Sequence, residues 1–149
     1  MTLLEKIRKD ILRAVREEDD ERIDVLKIAI ASLKNAEVEK GKELDEKEEE
    51  QILRKEVKKL KEAHEQFVSA GRDDLANREK RQLDMLEAYL PKLMEEKEVR
   101  KFVKKKVKQL GANSPKNIGK VMGTVMQELS GKADGGMVKK IVKEVLNEN

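Results

Sequence analysis

Five lysines, Lys97, Lys101, Lys104, Lys105 and Lys108, fall at offsets of 0, 4, 7, 8 and 11 residues. On an α-helix those offsets point one way, so the five would form a single cationic face. Only Glu95, Glu96 and Glu98 offset the charge of the stretch that runs to Leu110. Lysines that lack carboxylate partners repel one another along a helix, a cost that a purely structural face would avoid. A polyanion removes that cost, and a phosphate backbone is the partner that fits. Lys116 and Lys120 follow, then Lys132, with Lys139, Lys140 and Lys143 near the end of the chain. The candidate contact residues are Lys101, Lys104, Lys105, Lys108, Lys116, Lys120 and Lys132. Gly119 and Gly123 join them, four residues apart. Each glycine costs a helix interior about 1 kcal/mol relative to alanine, so something must compensate. Close helix–helix packing is the plainer explanation, and backbone access for a ligand is the sharper one.

Other residue types assemble no chemistry. Without cysteine there can be no disulfide, thiolate metal site or cysteine nucleophile. His64 is the sole histidine, and no carboxylate stands in Glu-x-x-His spacing to it, so it reads as a surface or seam residue and no metal is expected. Ser32, Ser69, Ser114 and Ser130 lack the base and oxyanion hole that a serine nucleophile needs. Carboxylates abound, but on solvent faces where nothing would raise their pKa for acid–base work. The glycine-rich stretch 131–136 follows no strand, so it is no phosphate-cradling loop. Neither a catalytic group nor a cofactor is expected.

The elements that must carry these lysines are helices. Charged residues make up 44% of the 149 and aromatics 2%, a profile of long salt-bridged helices rather than of sheets or base-stacking platforms. Apolar residues recur at helical spacing, which argues for folding despite the charge. Thr2 with Glu5, and Asp45 with Glu48, form capping boxes. The first helix should turn Leu4, Ile7, Ile11 and Val15 inward. The second, about 20–40, should bury Ile23, Val25, Leu26, Ile28, Ile30 and Leu33, and Gly41 should end it. A third, about 46–69, has a narrow seam of Ile52, Leu53, Leu60 and Phe67. A fourth, about 74–89, turns Leu75, Leu83, Leu86 and Tyr89 inward. Leu90-Pro91 then interrupts the helical pattern.

Three shorter helices are expected beyond it, at about 95–110, 115–129 and 135–147, with Ser114-Pro115 and Asp134 at starts. The proline also marks a charge boundary. Residues 1–90 hold 20 basic and 24 acidic side chains, net −4, whereas residues 91–149 hold 14 and 7, net +7. The expectation is an all-α protein, with an N-terminal four-helix domain at 1–91 and a small three-helix tail domain at 92–149. The longest apolar run, Ile28 to Ala31, is far short of the roughly 18 residues a membrane helix needs. The start of the chain lacks the apolar segment of a signal peptide, so no membrane association and a cytoplasmic location are expected.

The glycines sit in Asn117-Ile118-Gly119-Lys120-Val121-Met122-Gly123, followed by Gly131-Lys132-Ala133-Asp134-Gly135. This pair resembles the C-terminal region of the YqeY family. It is also similar to the tail domain of GatB, the B subunit of glutamine-dependent aminoacyl-tRNA amidotransferase. Phe67 to Leu75 and Glu87-Ala88-Tyr89-Leu90-Pro91 resemble YqeY as well, so the likeness covers essentially the whole chain. It implies an N-terminal helical domain with a three-helix tail. In the amidotransferase the related tail helps hold the tRNA body, while the chemistry occurs in domains absent here. The GatB tail usually reads Gly-Lys-Ala-Asn-Pro; this chain has Gly-Lys-Ala-Asp-Gly, the YqeY form. The resemblance implies tRNA or another structured RNA as partner, not DNA. Its alternatives are an adaptor for an amidotransferase or synthetase, and a carbon–nitrogen ligase with glutamine as amido-N-donor.

Overall fold

In a computed structural model, residues 1–111 and 114–148 are described, and among them every regular element is helical. The helices are α1 (Leu3–Arg16), α2 (Asp20–Lys40), α3 (Glu46–Ser69), α4 (Asp73–Glu87), α5 (Glu96–Leu110), α6 (Ile118–Leu129) and α7 (Gly135–Asn147). A 3-10 turn, Pro115–Asn117, leads into α6. By contacts the chain divides into two compact units, Met1–Pro91 and Lys92–Asn149.

Helix ends follow local chemistry. Thr2 accepts from the Glu5 amide while Glu5 accepts from the Thr2 amide, and Asp45 and Glu48 do the same at the start of α3. Asp19 and Asp134 cap α2 and α7. Gly41 and Gly111 close α2 and α5 in the left-handed conformation that costs glycine little. Where the sequence predicts one helix from 115, the proline and its neighbours instead make a separate 3-10 turn, with Ser114 accepting from the Lys116 amide.

In the first unit α1 packs on α2, α3 runs along α4, and α2 touches both members of that pair. The core is Leu3, Leu4 and Ile7 of α1, Val25, Leu26, Ala29 and Leu33 of α2, Leu53 of α3 and Leu86 of α4. Two expected core positions face solvent instead. Val15 is 55% exposed and Ile28 51%, while the alanines Ala14 and Ala29 are fully buried. The apolar arc is therefore turned toward the small residues, which let helices approach closely.

The seam of α3 holds carboxylates that periodicity assigns to solvent. Glu49 is 4% exposed, and its oxygens accept from the amides of Leu3 at 3.3 Å and Leu4 at 3.1 Å. A helix start has amides without partners inside the helix, and here a neighbouring helix supplies the acceptor. Glu56 is likewise buried and accepts from Ser32 Oγ of α2 at 2.7 Å and from Lys59. Glu49→Ala should orphan two buried amides and lower unfolding stability by about 1–3 kcal/mol. Chemical denaturation checks this, and an unchanged midpoint would show that the pair contributes nothing.

The end of α4 is tied back to α1 by the Tyr89 hydroxyl, which donates to Asp10. Burial and the adjacent carboxylate push that phenol well above its usual pKa, so it stays a donor throughout the physiological range. Arg81 and Arg78 of α4 pair with Glu21 and Asp24 of α2 on the exposed side.

The core of the second unit is built almost entirely from aliphatic residues. Val99, Val103 and Val107 of α5 meet Val121, Val125 and Leu129 of α6 and Val138, Ile141, Val142, Val145 and Leu146 of α7. Valine is a mediocre helix former, so this packing rather than propensity holds these helices. The Met94 amide donates to the Lys132 carbonyl at 2.8 Å, fastening the segment before α5 to the α6–α7 turn.

Candidate nucleic-acid interface

Because Val99, Val103 and Val107 repeat every four residues, the opposite side of α5 is set by default. Lys97, Lys101, Lys104, Lys105 and Lys108 occupy it, and all are exposed. None of the five has an ion-pair partner among the described residues. Eleven residues of helix place the first and last about 16 Å apart along the axis.

The other two cations of α5 have different work. Lys106 Nζ lies 2.8 Å from Glu128 Oε1 of α6 and 5.7 Å from the centre of the Phe102 ring. Arg100 meets three carboxylates, Glu144 at 2.5 Å, Glu96 at 3.3 Å and Glu148 at 3.7 Å. Its hydrogen bond holds the Glu144 carboxyl below the ordinary range. The face is thus sorted: residues flanking the core are consumed by it, and those opposite are free.

Lys116, in the 3-10 turn, and Lys120, in the first turn of α6, are exposed. Lys132 is exposed in the turn beyond the far end of the same helix. The whole of α6, twelve residues or about 18 Å, lies between Lys116 and Lys132, so the candidate cations do not converge on one point. Those of α5 come together; the others extend the charge around the unit. Lys139, Lys140 and Lys143 of α7 are exposed too.

Gly119 and Gly123 are exposed on α6, and a Cβ built at either meets nothing within 4 Å. Among the described residues of the second unit, close packing, the plainer sequence explanation, is therefore not seen at either glycine. A bare strip of helix is left beside Lys120. By contrast, Gly135 at the start of α7 would set its Cβ 3.5 Å from Met126 Cε. Gly119→Ala with Gly123→Ala should raise thermal stability, by up to about 1 kcal/mol per site, since helical glycine is the costlier residue. If the bare strip admits a ligand backbone, the same variant binds RNA more weakly despite being more stable. A variant that gains stability and keeps full affinity removes the glycines from the interface.

Elsewhere, potential chemical groups are occupied structurally. His64 Nδ1 lies 2.8 Å from the Ala76 carbonyl oxygen, which can only accept, so that nitrogen carries the proton and pins α3 to α4. Ser32 donates to Glu56, and Ser114 caps the 3-10 turn. Among the described residues no three His, Asp or Glu side chains group so as to hold a metal ion. No described helix is long and apolar enough to cross a membrane.

A family model described as "Yqey-like protein" matches residues 4–146. Three fungal relatives share the name "Altered inheritance of mitochondria protein 41, mitochondrial". The protein from Pyrenophora tritici-repentis is 26% identical over 147 residues, covering 97% of this chain and 81% of its own length. The Lachancea thermotolerans protein is 30% identical over 88 residues, 58% of this chain and 47% of that protein. The one from Eremothecium gossypii is 29% identical over 91 residues, 60% and 50% respectively. In the last two matches the chain spans about half the length of its relative.

Proposed function

The chain belongs to the YqeY-like family, and from that premise we propose that it is a non-catalytic binding protein that holds tRNA or another structured RNA. The contact is made by phosphates on Lys101, Lys104, Lys105, Lys108, Lys116, Lys120 and Lys132. The observation that carries this reading is the lysine face of α5, exposed and without ion pairs among the described residues. Lysine binds phosphate as a point charge and needs no aromatic platform for it. The resemblance of the tail to that of GatB supports tRNA as the ligand. In this reading 1–91 and 92–149 are separate domains, the second carrying the RNA site. The compartment is the cytoplasm, whereas the fungal relatives are mitochondrial by name. Amide transfer from glutamine forms no part of the proposal, since no group described above supplies a nucleophile. An electrophoretic shift with tRNA at low salt tests it, and absence of any shift would refute it.

A second reading, an adaptor that docks on an amidotransferase or synthetase, is favoured by apolar side chains on the surface of the first unit. Leu12 is 65% exposed and Val38 81%, with Val15 and Ile28 also more than half exposed. Co-purification with such an enzyme that survives nuclease treatment would support the adaptor over RNA binding.

A further inference from the structure

From the side chains that the lysine face of α5 lacks, we infer that this face recognises double-helical RNA through its phosphates alone, without regard to base sequence. This rests on the RNA-binding reading above and narrows it. Proteins read bases in three main ways: arginine forks on base edges, aromatic rings stacked on unpaired bases, and side-chain amides. Between residues 92 and 149 there is one arginine and one aromatic residue, Arg100 and Phe102.

Both are spent on the fold. The Arg100 guanidinium is held by Glu96, Glu144 and Glu148, on the side of α5 that meets α7. Phe102 packs against the aliphatic core with Lys106 over its ring. Gln109, the only side-chain amide on α5, is exposed one turn after Lys105, at the edge of the lysine face. On the lysine face of α5 what remains is a row of ammonium groups, each compact and without directional preference; the exposed amide of Gln127 lies on α6.

Such a row discriminates by charge density. Single strands are held chiefly by stacking, worth about 1–3 kcal/mol per base, and this surface has no ring to offer. A duplex carries the denser array of phosphates, so each cation displaces more condensed counterion there. The A-form major groove is too narrow to admit side chains, so the reach of these lysines ends at the backbone. Five cations over about 16 Å leave four intervals of about 4 Å, the same order as phosphates along one strand. Identity of the bound RNA is then set by its helical shape and not by its letters.

The test is fluorescence anisotropy with the full chain at about 100 mM salt, where backbone contacts still dominate. The probes are two RNA duplexes of about 20 base pairs with unrelated sequences, and an unstructured oligouridine with the same number of nucleotides. The expected result is that the two duplexes bind within about fivefold of each other and the single strand at least about tenfold more weakly. A larger difference between duplexes, or a smaller penalty for the single strand, overturns this inference while leaving RNA binding intact. Failure of all three probes to bind, even at low salt, overturns the RNA-binding reading together with it.

Discussion

Reversing charge at Lys104 and Lys105 together, as K104E/K105E, should weaken tRNA binding about a hundredfold at 100 mM salt. Each phosphate contact contributes about 0.9 to the slope of log affinity against log salt, which at 0.1 M amounts to roughly a factor of ten. Two lost contacts account for two such factors, and the new carboxylates add repulsion. The wild-type protein, with about five of the seven candidate lysines on phosphate at once, should lose roughly two to three orders of magnitude in affinity between 50 and 200 mM salt. The variant should show a slope smaller by about two. Its fold should be intact, because both side chains are exposed and neither has an ion-pair partner among the described residues. Lys106 is the matched control. Lys106→Ala removes the bridge to Glu128 and the contact with Phe102, so it should act on stability more than on affinity. Unchanged binding by K104E/K105E, with thermal unfolding as in wild type, would reduce the lysine row to a solvated surface and end the RNA proposal.

Leu26→Ala is expected to have the largest effect on stability. Leu26 is fully buried in the core that α1 to α4 share, and its truncation leaves a cavity. Leucine-to-alanine changes at such sites cost about 2–5 kcal/mol. If the two units are separate domains, as proposed, the loss is confined to the first. Hydrogen exchange should accelerate across α1 to α4 and stay unchanged across α5 to α7, with RNA affinity preserved. Acceleration in both units together would show that the chain unfolds as one cooperative body, and would defeat the two-domain proposal.

These expectations draw on residues the sequence reveals unevenly. The capping boxes at Thr2 and Asp45, the cap at Asp134 and the helix end at Gly41 were legible because a cap is a local event: one side chain and one amide a few residues away. The extents of α5 and α7 were legible because each short helix carries one narrow apolar stripe between local start and stop signals. The stripe also placed the lysines of α5 outward, since 3.6 residues per turn relates the two faces.

The central helices of the first unit were less transparent. In α2 apolar residues occur around much of the circumference, so periodicity could not choose between Ile28 and Ala29. The neighbouring helix chose the smaller one. Glu49 and Glu56 carry no local sign of burial. Glu49 is inside because the free amides at the start of α1 arrive there, from a segment 46 and 45 residues away in sequence.

The sequence by itself determined that the chain is helical, where most of its helices begin and end, and that five lysines of α5 share one face. Those properties depend on neighbours within a turn or two. Only the tertiary structure decided which cations are free. Arg100 and Lys106 look like the other basic residues of α5 until carboxylates of α7 and α6 reach them. Gly119 and Gly123 could equally have received a packed helix, and no described residue of the second unit comes within 4 Å of a Cβ built at either. Each of those outcomes is set by what an element distant in sequence brings alongside, and helical periodicity holds no record of it.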